Sequence, residues 1–172
     1  MEHLPNRKHP RLKSDIYDKA GVYFVTICTK ERSPCLGKIV WDRSDVFGTA
    51  HCALSEIGEV VQKYLCGIED AYPDVHVDTF MIMPDHVHLL LCFQKDALSS
   101  VHEDAKSPAT YTRLVRMVRS CKTLVTKEIG YSIWQASFYD SILPEGDALA
   151  YTRQYILHNP ARWALRYGVV PE

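Results

Sequence analysis

The chain has no Cys-x-x-Cys pair, and its six cysteines (Cys28, Cys35, Cys52, Cys66, Cys92, Cys121) are scattered among mostly apolar neighbours. They read as reduced packing residues, and a cysteine-rich zinc site is not indicated. No uninterrupted apolar run approaches the roughly 20 residues that a membrane span needs. Met1 to Lys13 is polar and basic without an apolar centre, so it does not read as a secretory signal. These absences point to a cytoplasmic protein with no membrane partner. An excess of one charge is also lacking: the net charge of -1 gives nucleic-acid binding no support from the whole chain. At 172 residues the expectation is a single domain over 1–172, its first 19 residues forming a basic N-terminal arm.

What the sequence does have is local charge. Residues 7 to 32 carry Arg7, Lys8, Arg11, Lys13, Lys19, Lys30 and Arg32 against three acids. Residues 113 to 127 carry Arg113, Arg116, Arg119, Lys122 and Lys127 with no acid among them. Such patches attract phosphate even when distant acids cancel the total. Both patches would equally serve as a solvated tail and a solvated helix face.

Gly21 to Thr29 reads as a buried strand, rich in β-branched and aromatic residues. Residues 36 to 53 suggest a small hairpin. Ser55 is a good N-cap for a helix from about Ser55 to Ala71, ended by Pro73. Val75 to Met83 and His86 to Phe93 read as antiparallel strands joined at Pro84-Asp85. Asp96 to Pro108 reads as a loop and Thr110 to Ile129 as a long helix. Trp134 to Leu143 reads as a last strand, and a third helix is expected from about Asp147 to His158, closed by Pro160. The order strand, helix, strand, strand, helix, strand is the β-α-β-β-α-β ferredoxin-like pattern, an α+β fold, with an added C-terminal helix. Helices on one side of such a sheet leave the other face open, where related folds hold nucleic acid.

His86 and His88 lie one residue apart in a strand and therefore point to the same face. Neutral imidazole is the commonest protein metal ligand, so the pair is half of a metal site, or else two polar rings on a solvated sheet face. Tyr155 and Asn159 are four apart and should share one helix face. The Asn159 amide oxygen would complete a three-ligand N/N/O set suited to Mg2+ or Mn2+. Helix termination before Pro160 would explain Asn159 equally well.

Several segments together resemble the HUH-type single-tyrosine transposases, in the branch associated with repetitive extragenic palindromes. They are Arg11-Leu12, Gly21 to Thr29, Leu54 to Gly58, Val77-Asp78, Met81 to His88, Val118 to Lys127, Trp134-Gln135, Phe138 to Asp140 and Tyr155 to Pro160. The resemblance implies His86 and His88 as the metal-binding pair, Asn159 as third ligand and Tyr155 as nucleophile. It implies a metal-dependent endonuclease and strand transferase acting on single-stranded or hairpin DNA through a 5′-phosphotyrosine. The basic residues Arg11, Lys13, Arg113, Arg116, Arg119 and Lys122 are candidate DNA contacts. Asp85 departs from the family pattern, which often has Asn there, and puts an extra carboxylate near the metal. The family includes homodimers that share active sites and monomers that complete the site alone. Two other classes remain open: a hairpin-binding protein with cleavage subordinate, and a zinc hydrolase using His-x-His with a further histidine such as His76. The acceptor of the tyrosine proton is not legible; Lys122, Arg153 and His158 are candidates.

Overall fold

The computed structural model describes residues 20–42, 49–94, 113–144 and 146–169. Arg11 and Lys13, the rest of the arm over 1–19 and the loop expected over Asp96 to Pro108 lie outside the described residues. The strands are β1 (Gly21–Cys28), β2 (Gly37–Asp42), β3 (Thr49–Leu54), β4 (Val75–Met83), β5 (His86–Phe93) and β6 (Tyr139–Ile142). The helices are α1 (Glu56–Cys66), α2 (Ile68–Ala71), α3 (Arg113–Ile129), α4 (Ala148–Leu157) and α5 (Asn159–Tyr167). An antiparallel sheet runs β4-β5-β1-β6, and β2 and β3 pair separately as the expected hairpin. Element order and strand order both fit the ferredoxin-like pattern, with β1 and β5 at the centre.

Alternation along β1 explains which face each helix takes. Tyr23, Val25 and Ile27 are buried in one cluster with Val61 and Leu65 of α1 and Leu114 and Val118 of α3. Phe24 and Thr26 point the other way, beside His88 and Leu90 in the β1–β5 register. That second face is less open than expected: α4 contacts β4 and β5, and α5 contacts β2, β3 and β4. A smaller apolar cluster of Ile39, Met83 and Ala164 seals the hairpin and α5 against the sheet.

Three expectations need correction. The helix predicted from Ser55 to Ala71 is broken at Gly67, which separates α1 from α2; glycine is a poor residue for a helix interior. The strand predicted from Trp134 to Leu143 is reduced to a single bridge, Thr29 to Trp134, followed by β6. Between them the carbonyls of Gln135, Ala136 and Ser137 turn to the Lys122 ammonium, at 2.6, 3.5 and 3.4 Å, instead of to a strand partner. The third correction concerns Pro160. α4 does end at Leu157, but Pro160 sits in the first turn of α5, where its missing N–H costs nothing. Tyr155 and Asn159 therefore belong to consecutive helices, not one.

No helix among the described residues is long and apolar enough to cross a membrane.

Candidate active site

The turn that introduces His86 is pinned from both sides. The Thr29 N–H donates to the Asp85 carbonyl at 3.0 Å, and the Leu36 N–H donates to the Pro84 carbonyl at 3.0 Å. Thr29 is fully buried, so these bonds are sheltered from water. The Asp85 side chain is buried too. Its Oδ1 lies 2.5 Å from His86 Nδ1 and its Oδ2 lies 3.0 Å from Arg32 Nε. Arg32 also donates through Nη1 to Cys28 Sγ at 2.8 Å. Glu31 and Arg32 adopt φ of 53° and 57°, a left-handed backbone uncommon for residues with side chains. This strained turn delivers the guanidinium to Asp85.

On the neighbouring position of the same strand face, Thr26 Oγ1 is 2.9 Å from His88 Nδ1. Both histidines thus have a partner at Nδ1, and both Nε2 atoms point into one space, 3.1 Å apart. A carboxylate held by Arg32 accepts, so His86 Nδ1 donates; the same orientation at His88 leaves two Nε2 lone pairs facing each other. Such a pair repels unless a cation or proton lies between. Two nitrogens about 2.1 Å from one ion can be no more than about 4.2 Å apart, so the pair fits a metal ion. Burial, with His86 and Arg32 adding to it, lowers the His88 pKa to about 3, which keeps this imidazole neutral and able to ligate at neutral pH.

Tyr155 reaches this pair within one chain. Its ring centroid is 5.5 Å from that of His88 and 6.0 Å from that of Phe24. Asn159 is buried and opens α5 one turn before Trp163, whose ring lies 6.1 Å from His86. Asn159 thereby shares the helix face that looks toward the histidines. No three His, Cys, Asp or Glu side chains among the described residues are placed to hold a metal ion together. The Asn159 amide oxygen is, by its chemistry, a neutral acceptor of the kind that ligates hard cations.

α4 is fastened to the sheet by a β-bulge. The β4–β5 register shifts between Val77 and Thr79, leaving Asp78 as the extra residue. Its carboxylate takes Arg153 Nε at 2.7 Å and pairs with Nη2 as well. Arg153 is thus two residues from Tyr155 and committed to holding the helix.

The remaining sequence candidates separate. His76 pairs with Glu69 at 3.0 Å and sits opposite Cys92, far along β5 from His86, so it does not join the histidine pair. Arg113 pairs with Asp74, and Lys122 is bound to backbone carbonyls. Arg116 and Arg119 are exposed on the outer side of α3, and with Lys127, Ser120 and Thr123 they line a shallow groove. α3 packs on the sheet face opposite Tyr155. Of the three proton-transfer candidates, His158 Nδ1 lies 2.8 Å from the Gln154 carbonyl, and Lys122 and Arg153 are engaged as above. The cation over the tyrosine is one the sequence reading missed: Arg162 Cζ lies 5.3 Å from the Tyr155 ring centroid. Treating Pro160 as the end of helical structure concealed Arg162; Pro160 as a helix start would have revealed it.

An uncharacterised protein of Haemophilus influenzae is 26% identical over 173 residues, covering 93% of this chain and 91% of the relative. A second protein of that organism, whose name assigns it provisionally to the REP-associated tyrosine transposases, is 25% identical over 149 residues, covering 85% and 73%. A solved REP-associated tyrosine transposase bound to a REP hairpin superposes with a TM-score of 0.57 at 16% identity, over 91% of this chain and 73% of that one, a likeness of fold. The family model described as IS200-like transposase matches residues 19–159, a span that runs from β1 through the histidine pair to Asn159, and the chain belongs to that family.

Proposed function

We propose that the protein is a metal-dependent single-stranded DNA endonuclease and strand transferase that acts on hairpin-forming DNA in transposition or the mobilisation of repetitive palindromes. The observation carrying this reading is that Tyr155 lies beside His88 while His86 Nε2 and His88 Nε2 converge at 3.1 Å. His86, His88 and Asn159 would hold Mg2+ or Mn2+. When bound, that ion polarises a non-bridging oxygen of the scissile phosphate and offsets the charge that develops there.

The chain's own residues supply the rest. Tyr155 Oη attacks phosphorus, a P–O bond to tyrosine forms, and the P–O3′ bond breaks. The products are a 5′-phosphotyrosine and a 3′-hydroxyl, the phenol proton passing to solvent and the leaving O3′ taking a proton from solvent. Arg162 stands over the ring and stabilises the phenolate as it develops. The phosphotyrosine conserves the energy of the phosphodiester, so a different 3′-hydroxyl attacks it in the reverse reaction and strands are exchanged. Asp78 and Arg153 keep α4 in register with the histidines. The meeting of Tyr155 and His88 of one chain supports a site completed within a single chain. The solved relative's bound hairpin supports hairpin DNA as the substrate. Arg116 and Arg119, on the far side of the sheet, suit sequence-independent attraction of duplex phosphates.

The test is to incubate labelled hairpin DNA bearing a single-stranded flank with the protein and Mn2+, then resolve the products on a denaturing gel. A covalent protein–DNA band is expected, lost in Tyr155→Phe and in chelator. Cleavage that persists in Tyr155→Phe would overturn the assignment.

A further inference from the structure

α5 carries a regular surface of which the proposed cleavage chemistry uses only the start, Asn159 and Arg162. Asn159, Trp163 and Tyr167 recur at four-residue steps and so share one face. The Trp163 ring centroid is 6.1 Å from His86, and the Tyr167 ring is 4.5 Å from Trp163 at 39° between planes. The rings therefore form a ladder that begins at the histidine pair and runs out to Tyr167, which is 57% exposed. Beside it runs a row of two exposed arginines, also four apart: Arg162 over Tyr155, and Arg166 with Cζ 5.6 Å from the Tyr167 ring centroid. α5 itself contains no acidic residue to neutralise them.

Packing accounts for only part of this arrangement. Trp163 leans on the cluster of Ile39, Met83 and Ala164 that joins α5 to the hairpin. Tyr167 has no such place in the core, and neither arginine is committed to a carboxylate by the helix. The end of the helix is nonetheless firm: Trp41 Nε1–H donates to the Val169 carbonyl at 3.0 Å, and Gly168 closes the last turn at φ 67°. Flat apolar rings alternating with cations, on a rigid support, complement a strand whose bases stack and whose phosphates repeat.

We propose that the Trp163–Tyr167 ladder with Arg166 is a track for the unpaired DNA next to the scissile phosphate, a base stacking on Tyr167 and its phosphate meeting Arg166. This rests on the reading of His86, His88 and Tyr155 as the cleavage centre and adds to it where the flanking strand lies. Binding energy collected along the track holds the scissile phosphate at the tyrosine.

The test is fluorescence anisotropy with the full-length protein, in chelator so that no cleavage intervenes, on a labelled hairpin with and without a short single-stranded flank. The flank should tighten binding to the unaltered protein. Tyr167→Leu should lose about tenfold of that gain, whereas Tyr167→Phe, which keeps the ring, should retain it. Arg166→Gln should reduce the slope of log affinity against log salt by about 0.7. The proposal is overturned if the flank adds nothing, if Tyr167→Leu binds the flanked hairpin as well as the unaltered protein, or if it weakens both DNAs equally. A parallel incubation with Mn2+ reads the Tyr155 adduct: its absence overturns the cleavage centre, whereas the chelator experiment judges the track by itself.

Discussion

Asp85 and His86, adjacent in sequence, are hydrogen-bonded to each other through their side chains, with Asp85 Oδ1 2.5 Å from His86 Nδ1. The carboxylate fixes which imidazole nitrogen carries hydrogen, and Arg32 at 3.0 Å on the other oxygen fixes the carboxylate. Asp85 is thus an orienting partner for the His86 ring, holding its Nε2 toward His88. Asp85→Asn should fold normally and bind Mn2+ about 10-fold more weakly, as measured by calorimetric titration. Equal affinity in the two proteins would remove Asp85 from the ligand's support.

Arg32 is held in a left-handed conformation that costs about 1–3 kcal/mol in a residue with a side chain. Arg32→Gly relieves that strain while deleting the guanidinium. The expected result is unchanged or slightly raised thermal stability together with weaker Mn2+ binding. If stability and metal affinity fall in parallel, the turn is simply structural.

Arg162 Cζ lies 5.3 Å from the centroid of the Tyr155 ring. A charge that stabilises the developing phenolate contributes to the rate of attack more than to DNA affinity. Arg162→Gln should slow single-turnover adduct formation by about 10- to 100-fold. Substantial slowing with affinity changed much less supports this role; loss of affinity alone would place Arg162 in binding only.

Asp78 and Arg153 join the bulged strand to the helix that bears Tyr155. The hydrogen bond from Arg153 holds the Asp78 carboxyl below its ordinary 3.8. The stability it contributes is therefore complete above 3.8 and is lost as the pH falls through the lowered value. Since Arg153 is exposed, Asp78→Asn should cost no more than about 1 kcal/mol of stability in denaturant titration. Adduct formation at neutral pH should fall by a larger factor, because α4 loses its register. A rate that simply follows stability would contradict that anchoring role.

The histidine pair was legible because strand alternation is local: His86 and His88 had to share a face once β5 was recognised. Their closeness to Tyr155 was not legible, since it depends on α4 lying across β4 and β5. The error over Pro160 shows why. Proline disfavours a helix interior and favours a helix start for one and the same reason, its missing N–H, and sequence spacing does not say which applies. The partners of the basic residues were equally hidden. Arg113 and Lys122 fall on the expected stripe, but each finds oxygen acceptors inside the protein that lie distant in sequence.

Gly58 is required by a contact that no local pattern announces. A Cβ there would lie 2.0 Å from the Leu36 carbonyl oxygen, which already accepts the Ser55 N–H. Leu36 also binds the Pro84 carbonyl that precedes Asp85, so displacing it disturbs the turn leading into the histidine pair. Gly58→Ala should destabilise the protein by about 1–3 kcal/mol in chemical denaturation and weaken Mn2+ binding as well. A variant of normal stability would mean that α1 can shift without consequence.

His88 contributes a pH dependence to the stability of the metal-free protein. Its pKa falls from 6.5 to about 3, first through burial and then through His86 and Arg32. The unfolded chain therefore takes up a proton near 6.5 that the folded chain refuses. Stability is complete above that value and declines as the pH drops, by up to about 1.4 kcal/mol per unit, levelling off below about 3. Carboxylates join the loss only at lower pH, so the diagnostic interval lies between about 6.5 and 5. Urea denaturation in chelator across this interval should show a clear slope in the unaltered protein and a shallower one in His88→Gln. Mn2+ should raise stability most at the upper end, where no proton competes for the imidazole nitrogen. Equal slopes in the two proteins would mean that His88 is protonated as readily in the folded chain as in the unfolded one, and so is not held neutral by its burial.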